Sequence, residues 1–443
     1  MIHTRRGPLA ACILGLFLAG AAGFGLRGRG APVSQTADPS GPVDLSAPAD
    51  RVPYDPELIN RTVAFWEGLA RRDPEGAIAE RELAGAYLAR QRETGDVADA
   101  VRAEAAARRS LKIVPRNASA MSRLARSLLA QHRFPEALEV ARRAGAIDPR
   151  SARLLADVQI ELGDYDAAEK ALASSSSGSD DLDYYASRAR LEGINGRPEV
   201  ALRLLREAIR VTDKRPDMPA ATVAWYHTMV GHAHVEAGRL DEADRACGVA
   251  LKIFPRDYHA MTVMASAAAW RGNWRDAISW GEKAVKICPQ NPEAMKLIGD
   301  AHAAMGRDDE AEVWYARLKA LAHSFPRIYD RHWALFCADK GRDLDEALAL
   351  ARDDLTLRQD IHAHDTLAWV YFKKGMQAEA QSAMRMALAR DTKEATLLYH
   401  AGMIARSGGD LTAARDYFTR ARSLNPHAVP LRWLRWMDAT RNG

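Results

Sequence analysis

A spacing of 34 residues organises the chain between positions 224 and 321. Two small residue types keep this interval, glycine at Gly238, Gly272 and Gly306 and alanine at Ala243, Ala277 and Ala311. A fixed period of this length is typical of a solenoid, in which one supersecondary unit is repeated and packs only on its neighbours. The period therefore constrains the fold more strongly than any single-site motif does.

Each repeat contains two apolar, alanine-rich runs with helical spacing, and the recurring glycine separates them. Glycine ends a helix easily because it adopts the left-handed backbone conformation without steric cost. Acidic residues such as Asp241 and Glu242 follow the glycine and suit the positive N-terminal end of a second helix. Pro255 and Pro289 then close that helix. The pattern predicts antiparallel helix pairs that stack on one another.

The agreement of period, glycine, alanine and proline positions resembles the tetratricopeptide repeat family, and it extends over roughly three-quarters of the chain. The resemblance implies an all-α, right-handed superhelical solenoid whose first helices line a concave groove. We count about ten antiparallel helix pairs, and we expect capping helices at the two ends because terminal repeats would otherwise expose apolar surface.

Segments outside the repeats have other compositions. Residues 1–30 combine a basic start, an apolar run and small residues, and predict a signal peptide or an N-terminal membrane anchor. Residues 31–53 are rich in Pro, Ser, Asp and Ala and predict a disordered linker. The repeat array then spans 54–426, with a loosened seam at the serine tract near 174–181, and 427–443 predicts a C-terminal capping helix. We therefore expect an exported protein, which is secreted, periplasmic or anchored to the outer face of the membrane.

The charge distribution argues against nucleic-acid binding, and the cysteine spacing argues against a zinc knuckle or a CxxC motif. The net charge of +4 is spread along the chain without a Lys/Arg-rich block, so nucleic acid is not an expected partner. The four cysteines are too far apart for a zinc knuckle or a CxxC motif. Cys247 and Cys337 fall where the repeat requires a small buried residue, which favours buried free thiols over a disulfide framework.

Sequence motifs for catalysis are lacking. No phosphate-binding loop, nucleophile elbow or H-E-x-x-H motif occurs, so we predict no enzyme activity, no catalytic residue and no cofactor. Histidine is the one suggestive residue type, at His227, His232, His234, His259, His302, His332, His362, His364 and His400. These histidines do not form a tight ligand cluster with cysteine or carboxylate, so we predict no metal site. A small-ligand or metal-binding solenoid that uses the histidine-rich middle repeats is the alternative function.

The family resemblance implies which side chains face the groove. The predicted partner-binding residues are Trp225, His232, His259, Trp270, Lys296, Asp300, Arg331, Trp369, Tyr399, His400 and Arg406. Trp, Tyr and Arg most often anchor interfaces, but the competing interpretation is that Trp369 and Tyr399 pack in the core and that the charges are only solvated. Lys296 and Asp300 have the spacing of a carboxylate clamp known in the family, but Asp stands where that clamp has Asn. We therefore predict a scaffold that binds protein or peptide segments in this groove, within a larger complex. The N-terminal segment is compatible with a membrane tether.

Overall fold

The computed structural model describes residues 53–174 and 181–430, together with Met437. These residues form 21 α-helices and one short 3-10 helix, and they contain no strand. The first eleven helices are α1 (Leu58–Arg72), α2 (Ala77–Thr94), α3 (Val97–Ile113), α4 (Ala118–Ala130), α5 (Phe134–Ile147), α6 (Ala152–Leu162), α7 (Tyr165–Ser174), α8 (Leu182–Ile194), α9 (Pro198–Asp213), α10 (Ala220–Glu236) and α11 (Leu240–Ile253). The other ten are α12 (Tyr258–Arg271), α13 (Trp274–Ile287), α14 (Pro292–Ala304), α15 (Asp308–Ser324), α16 (Asp330–Lys340), α17 (Leu344–Leu357), α18 (Ile361–Lys373), α19 (Gln377–Ala387), α20 (Ala395–Ser407) and α21 (Leu411–Leu424).

Helix α1 stands alone and packs on α2, and the remaining twenty helices form ten consecutive pairs from α2–α3 to α20–α21. This arrangement confirms the prediction of an all-α repeat solenoid. The predicted signal or anchor segment, the linker before Pro53, the serine tract at 175–180 and the C-terminal cap apart from Met437 lie outside the described residues. None of the described helices is long and apolar enough to cross a membrane.

Glycine, Asp and Asn residues at the repeat positions end or begin the helices. The glycines that follow the first helices have positive φ, for example +78° at Gly272 and +76° at Gly375. Short polar side chains cap the N-termini of several first helices by accepting a backbone N–H, at Asn117, Asp181, Asp257, Asn291 and Asp360. Both devices satisfy backbone groups that a helix end leaves without partners.

Small residues set the distance between the two helices of a pair. A Cβ atom added at Gly231 would lie 2.5 Å from Cys247 Sγ, and one added at Gly299 would lie 2.8 Å from Tyr315 Cδ1. Ala277 is fully buried at an equivalent crossing. Cys247, Cys288 and Cys337 are buried free thiols, as predicted, while Cys12 lies outside the described residues.

The superhelix is wound tightly enough for successive turns to touch. The Gln359 N–H donates to Leu162 O (3.0 Å), and the Val97 N–H donates to Gln290 Oε1 (3.2 Å). These two bonds join residues that are 197 and 193 positions apart, which is between five and six repeats of 34 residues. We call α1–α11 the first turn, α12–α21 the second turn, and the line of contact between them the inter-turn seam.

Glycines of the first turn allow this contact. A Cβ atom at Gly163 would lie 2.5 Å from Gln359 C and 2.7 Å from Asp360 N, both backbone atoms of the second turn. A Cβ atom at Gly238 would lie 2.7 Å from Pro426 Cδ. The equivalent glycines of the second turn, from Gly272 to Gly409, have open space at this position. In both turns, this glycine ends a helix. In the first turn, its lack of a side chain also lets the backbone of the second turn approach closely.

Candidate functional site

A buried ion network crosses the inter-turn seam. Arg358 of the second turn is 3% exposed, and its Nη1 lies 3.4 Å from Glu161 Oε2 of the first turn. Its Nε lies 3.0 Å from Asp354 Oδ1 and 3.3 Å from Asp360 Oδ2. The guanidinium also lies over the ring of Phe134, 5.2 Å from its centroid. Because these charges are away from water, each carboxylate depends on its arginine partners.

A cleft with a volume of about 390 Å³ opens beside this network, between the two turns. We call it the inter-turn cleft. Its first-turn wall comes from α6, α8, α9 and α10, and its second-turn wall comes from α16, the start of α18, the residues before and in α20, and the end of α21. The cleft therefore exists only while the two turns are in contact.

The inter-turn cleft has an apolar interior and an exposed rim. Buried apolar side chains that line it are Leu202, Leu205, Met229 and Leu397. Exposed residues at its rim are Pro198, Glu199, Lys393 and Ser423. An apolar pocket of this size with a few polar groups is the usual form of a ligand site or of an anchor pocket in an interface.

Most charges on the cleft wall are paired with one another. Glu161 Oε1 lies 2.6 Å from Arg190 Nη2, and Asp360 Oδ1 lies 3.5 Å from Arg331 Nη1. At the rim, Glu199 Oε1 lies 3.3 Å from Arg239 Nη1. These pairs leave two carboxyl groups on the cleft wall without a cationic partner.

The two remaining carboxyl groups belong to Glu236 and Glu394. Glu236 is the last residue of α10, and its carboxyl group makes no hydrogen bond or ion pair with any residue that the structure describes. Glu394 precedes α20, and its Oε2 lies 3.6 Å from His362 Nδ1. Burial lowers the pKa of His362 to about 3, so the imidazole is neutral at neutral pH and does not balance the carboxylate.

Their surroundings make the ionised forms of both carboxyl groups costly. Burial raises the pKa of Glu236 to about 7. Burial, followed by the negative charges of Glu236, Asp365 and Asp360, raises the pKa of Glu394 to about 8. Near neutral pH the two groups therefore retain protons that exposed glutamates would lose.

Glu394 occupies the N-cap of α20 and makes no cap hydrogen bond with its side chain. Five first helices begin with a capping Asp or Asn, whereas α2, α6, α10 and α16 begin, like α20, without a side-chain cap. The carboxyl group of Glu394 lines the inter-turn cleft.

A smaller cavity of about 140 Å³ lies on the other side of the ion network. Arg331 lines both spaces, and His259 and His332 line the smaller one. Burial lowers the pKa of each of these two histidines to about 3, so they are neutral packing groups at neutral pH. Among the described ranges, no group of three or more His, Cys, Asp or Glu side chains could hold a metal ion.

The predicted groove residues fall into separate groups. His232 and Arg331 line the inter-turn cleft, and His259 lines the smaller cavity. Lys296 Nζ lies 3.0 Å from Asp300 Oδ2 and is engaged in that ion pair, so the two residues do not form an open carboxylate clamp. Asp339 joins this pair to a group of rings that contact one another, formed by Trp369, Tyr399 and His400. The other predicted positions are Trp225, Trp270 and Arg406.

The structure corrects the expectation that the aromatic residues face an open groove. Trp369 is 3% exposed, its Nε1 donates to Asp339 Oδ1 (3.0 Å), and its ring stacks on His400. Tyr399 and His400 are also core residues, and Trp225 is buried. With five to six repeats per turn, neighbouring first helices crowd together, so side chains on their inner faces pack against one another. Trp270 and Arg406 are partly buried.

Comparison with known proteins agrees with the repeat architecture. The family model of the tetratricopeptide repeat matches residues 90–152, 228–292 and 366–429. The chain contains tetratricopeptide repeats. Among solved structures, that of the APC/C hetero-tetramer Cut9–Hcn1 covers 84% of this chain and 92% of its own chain, with 14% identity and a TM-score of 0.34. No curated protein sequence matches the chain. The repeats make the protein a scaffold of the class that mediates protein–protein interaction.

Proposed function

We propose that this tetratricopeptide repeat protein is an extracytoplasmic scaffold that holds a segment of a partner protein at the inter-turn cleft, within a larger assembly. The basic start and apolar run of residues 1–30 support export. The tight winding of the superhelix favours the inter-turn cleft over a long concave groove as the binding site, because the inner faces of the first helices are largely buried.

One observation carries the choice of site. The inter-turn cleft combines an exposed rim, an apolar interior and two carboxyl groups without cationic partners. Interfaces gain most of their affinity from a few side chains that fill such desolvated pockets. A partner segment lying across the rim would place one side chain in the cleft, and residues of both turns would contact it.

Site-specific photo-cross-linking in cells tests the site. A photoreactive residue replaces Ser423 at the rim, and the matched control replaces Met386, which is 52% exposed on α19 and outside the cleft. We expect a discrete cross-linked partner from position 423 that is absent from position 386. Cross-linking from 386 alone, or from neither position, would contradict a binding site at the cleft.

The proposed location has its own test. Fusion of residues 1–30 to a reporter that is active only outside the cytoplasm should give signal, and a fusion that lacks these residues should not. A silent reporter with the protein recovered from the cytosol would refute export.

A small-ligand-binding solenoid is the second candidate function, and the volume of the inter-turn cleft favours it. Clefts of roughly 300–1,000 Å³ commonly hold small molecules. Native mass spectrometry of the purified chain separates the two candidates, because a retained small molecule adds a discrete mass to the folded protein.

A further inference from the structure

We propose that the inter-turn cleft binds an organic cation, a primary ammonium or guanidinium group on an apolar stem, between Glu236 and Glu394. This inference rests on the cleft that also carries the proposed function, and it specifies the chemistry of the group that enters. That group belongs either to a lysine or arginine side chain of a partner or to a free amine.

The charges around the cleft determine the sign of the ligand. Glu161, Asp360 and Glu199 each have an arginine within 3.5 Å. Glu236 has no such neighbour in the described part of the chain, and the neighbours of Glu394 there are uncharged, the neutral His362 and the hydroxyl of Thr392. Buried carboxylates are stable only when a cation or several hydrogen-bond donors accompany them. The missing partner is therefore cationic.

The walls of the cleft determine the rest of the ligand. Leu202, Met229 and Leu397 present apolar surface next to the two carboxyl groups. A hydrated metal ion gains nothing from such walls, whereas the methylene stem of an amine buries its surface against them. Arg331 on the same wall is 7% exposed, and its Nη1 has no hydrogen-bond acceptor within the described residues. A carbonyl group on the ligand would supply that acceptor.

The protonation of the two glutamates agrees with this assignment. Burial raises the pKa values of Glu236 and Glu394, so protons occupy the carboxyl groups when no other positive charge is present. A bound ammonium group favours the ionised carboxylates and releases these protons. Binding near neutral pH should therefore release protons to the buffer.

Isothermal titration calorimetry of the purified full chain tests the proposal with a matched pair of probes. The probes are N-acetyl-lysine methylamide and its neutral analogue N-acetyl-norleucine methylamide, and n-hexylamine represents a free amine. We expect saturable binding of at least one cationic probe, at least about tenfold tighter than the norleucine probe. Titration in buffers of different ionisation enthalpy should show proton release.

Two variants and one control locate the site. Glu236→Gln and Glu394→Gln should each weaken the cationic probe at least about tenfold and reduce the proton release. Glu379→Gln, the same change at an exposed position of α19, should leave both unchanged. Circular dichroism of each variant verifies that the fold is retained.

The probes that bind identify the source of the cationic group. Binding of the lysine probe alone supports a partner side chain as the source, and binding of n-hexylamine alone supports a free amine. Equal binding of the lysine and norleucine probes would overturn the cation site but leave the cleft as an apolar anchor pocket. Absence of binding by all probes would overturn this inference, whereas the proposed function is judged separately by cross-linking from position 423.

Discussion

Replacing Gly163 by alanine should separate the two turns of the superhelix, and Gly375→Ala is its matched control. The two glycines occupy the same repeat position, with φ of +81° and +76°. Alanine in this left-handed conformation costs about 1–2 kcal/mol at either site. At Gly375 there is open space around the new methyl group, so we expect no further loss of stability.

At Gly163 the methyl group also meets the second turn. Its position would be 2.5 Å from Gln359 C and 2.7 Å from Asp360 N. These are backbone atoms, so the clash is relieved only if the turns move apart. Such overpacking costs about 1–3 kcal/mol. Movement also weakens the hydrogen bond from the Gln359 N–H to Leu162 O, which contributes about 0.5–1.5 kcal/mol. We therefore expect Gly163→Ala to destabilise the protein by about 1.5–4.5 kcal/mol more than Gly375→Ala.

Urea denaturation followed by circular dichroism measures this difference, and hydrogen exchange locates it. Faster exchange in Gly163→Ala should extend to 358–373 as well as to 152–174. In Gly375→Ala it should remain near 361–387, because the space around a methyl group at position 375 is open and no contact between the turns is disturbed. Equal loss of stability in the two variants, or faster exchange around position 163 alone, would refute contact between the turns.

Three further variants test individual contacts by urea denaturation. Arg358→Met leaves buried carboxylates without their arginine and should cost about 3–5 kcal/mol, whereas Arg342→Ala removes a partly exposed ion pair with Glu312 and should cost less than about 1 kcal/mol. Trp369→Ala should cost about 3–5 kcal/mol because the ring is in the core, and a stable variant that had lost partner binding would restore the groove prediction. Glu394 has a pKa of about 8 in the folded protein against a usual 4.5, so the folded state binds more protons and stability should fall as pH rises from about 4.5 to 8. Glu394→Gln should reduce this slope, and an unchanged slope would show that the surroundings of this partly buried carboxyl group do not raise its pKa.

The sequence predicted the repeat unit well because each of its features acts locally. A glycine such as Gly272 ends its helix through its own backbone conformation, and Ala277 sets a crossing with the adjacent helix. The winding of the superhelix depends instead on small rotations summed over many pairs. Gly163 and Gly375 are indistinguishable in the repeat pattern, yet only Gly163 contacts another turn.

The same limit explains the incorrect part of the site prediction. The family resemblance implies an open groove at Trp369, but the tight winding buries this side chain against neighbouring first helices. Glu394 gave no distinctive signal, because other first helices such as α10 and α16 also begin without a capping Asp or Asn. Glu236 had none, since its importance arises only where α10 of the first turn approaches the second turn.

Cysteine cross-linking tests most directly whether the two turns are in contact. The backbone hydrogen bond of 3.0 Å between Gln359 N and Leu162 O brings these residues together from opposite sides of the inter-turn seam. The native thiols at 247, 288 and 337 are buried and should not interfere. In the folded chain with Cys12→Ser, the Leu162→Cys/Gln359→Cys variant should form an intramolecular cross-link with a short bismaleimide at a rate independent of protein concentration, whereas Leu162→Cys/Met386→Cys should not. A folded double variant at 162 and 359 that gives no cross-link, or gives one only between molecules, would contradict the two-turn structure and the cleft that depends on it.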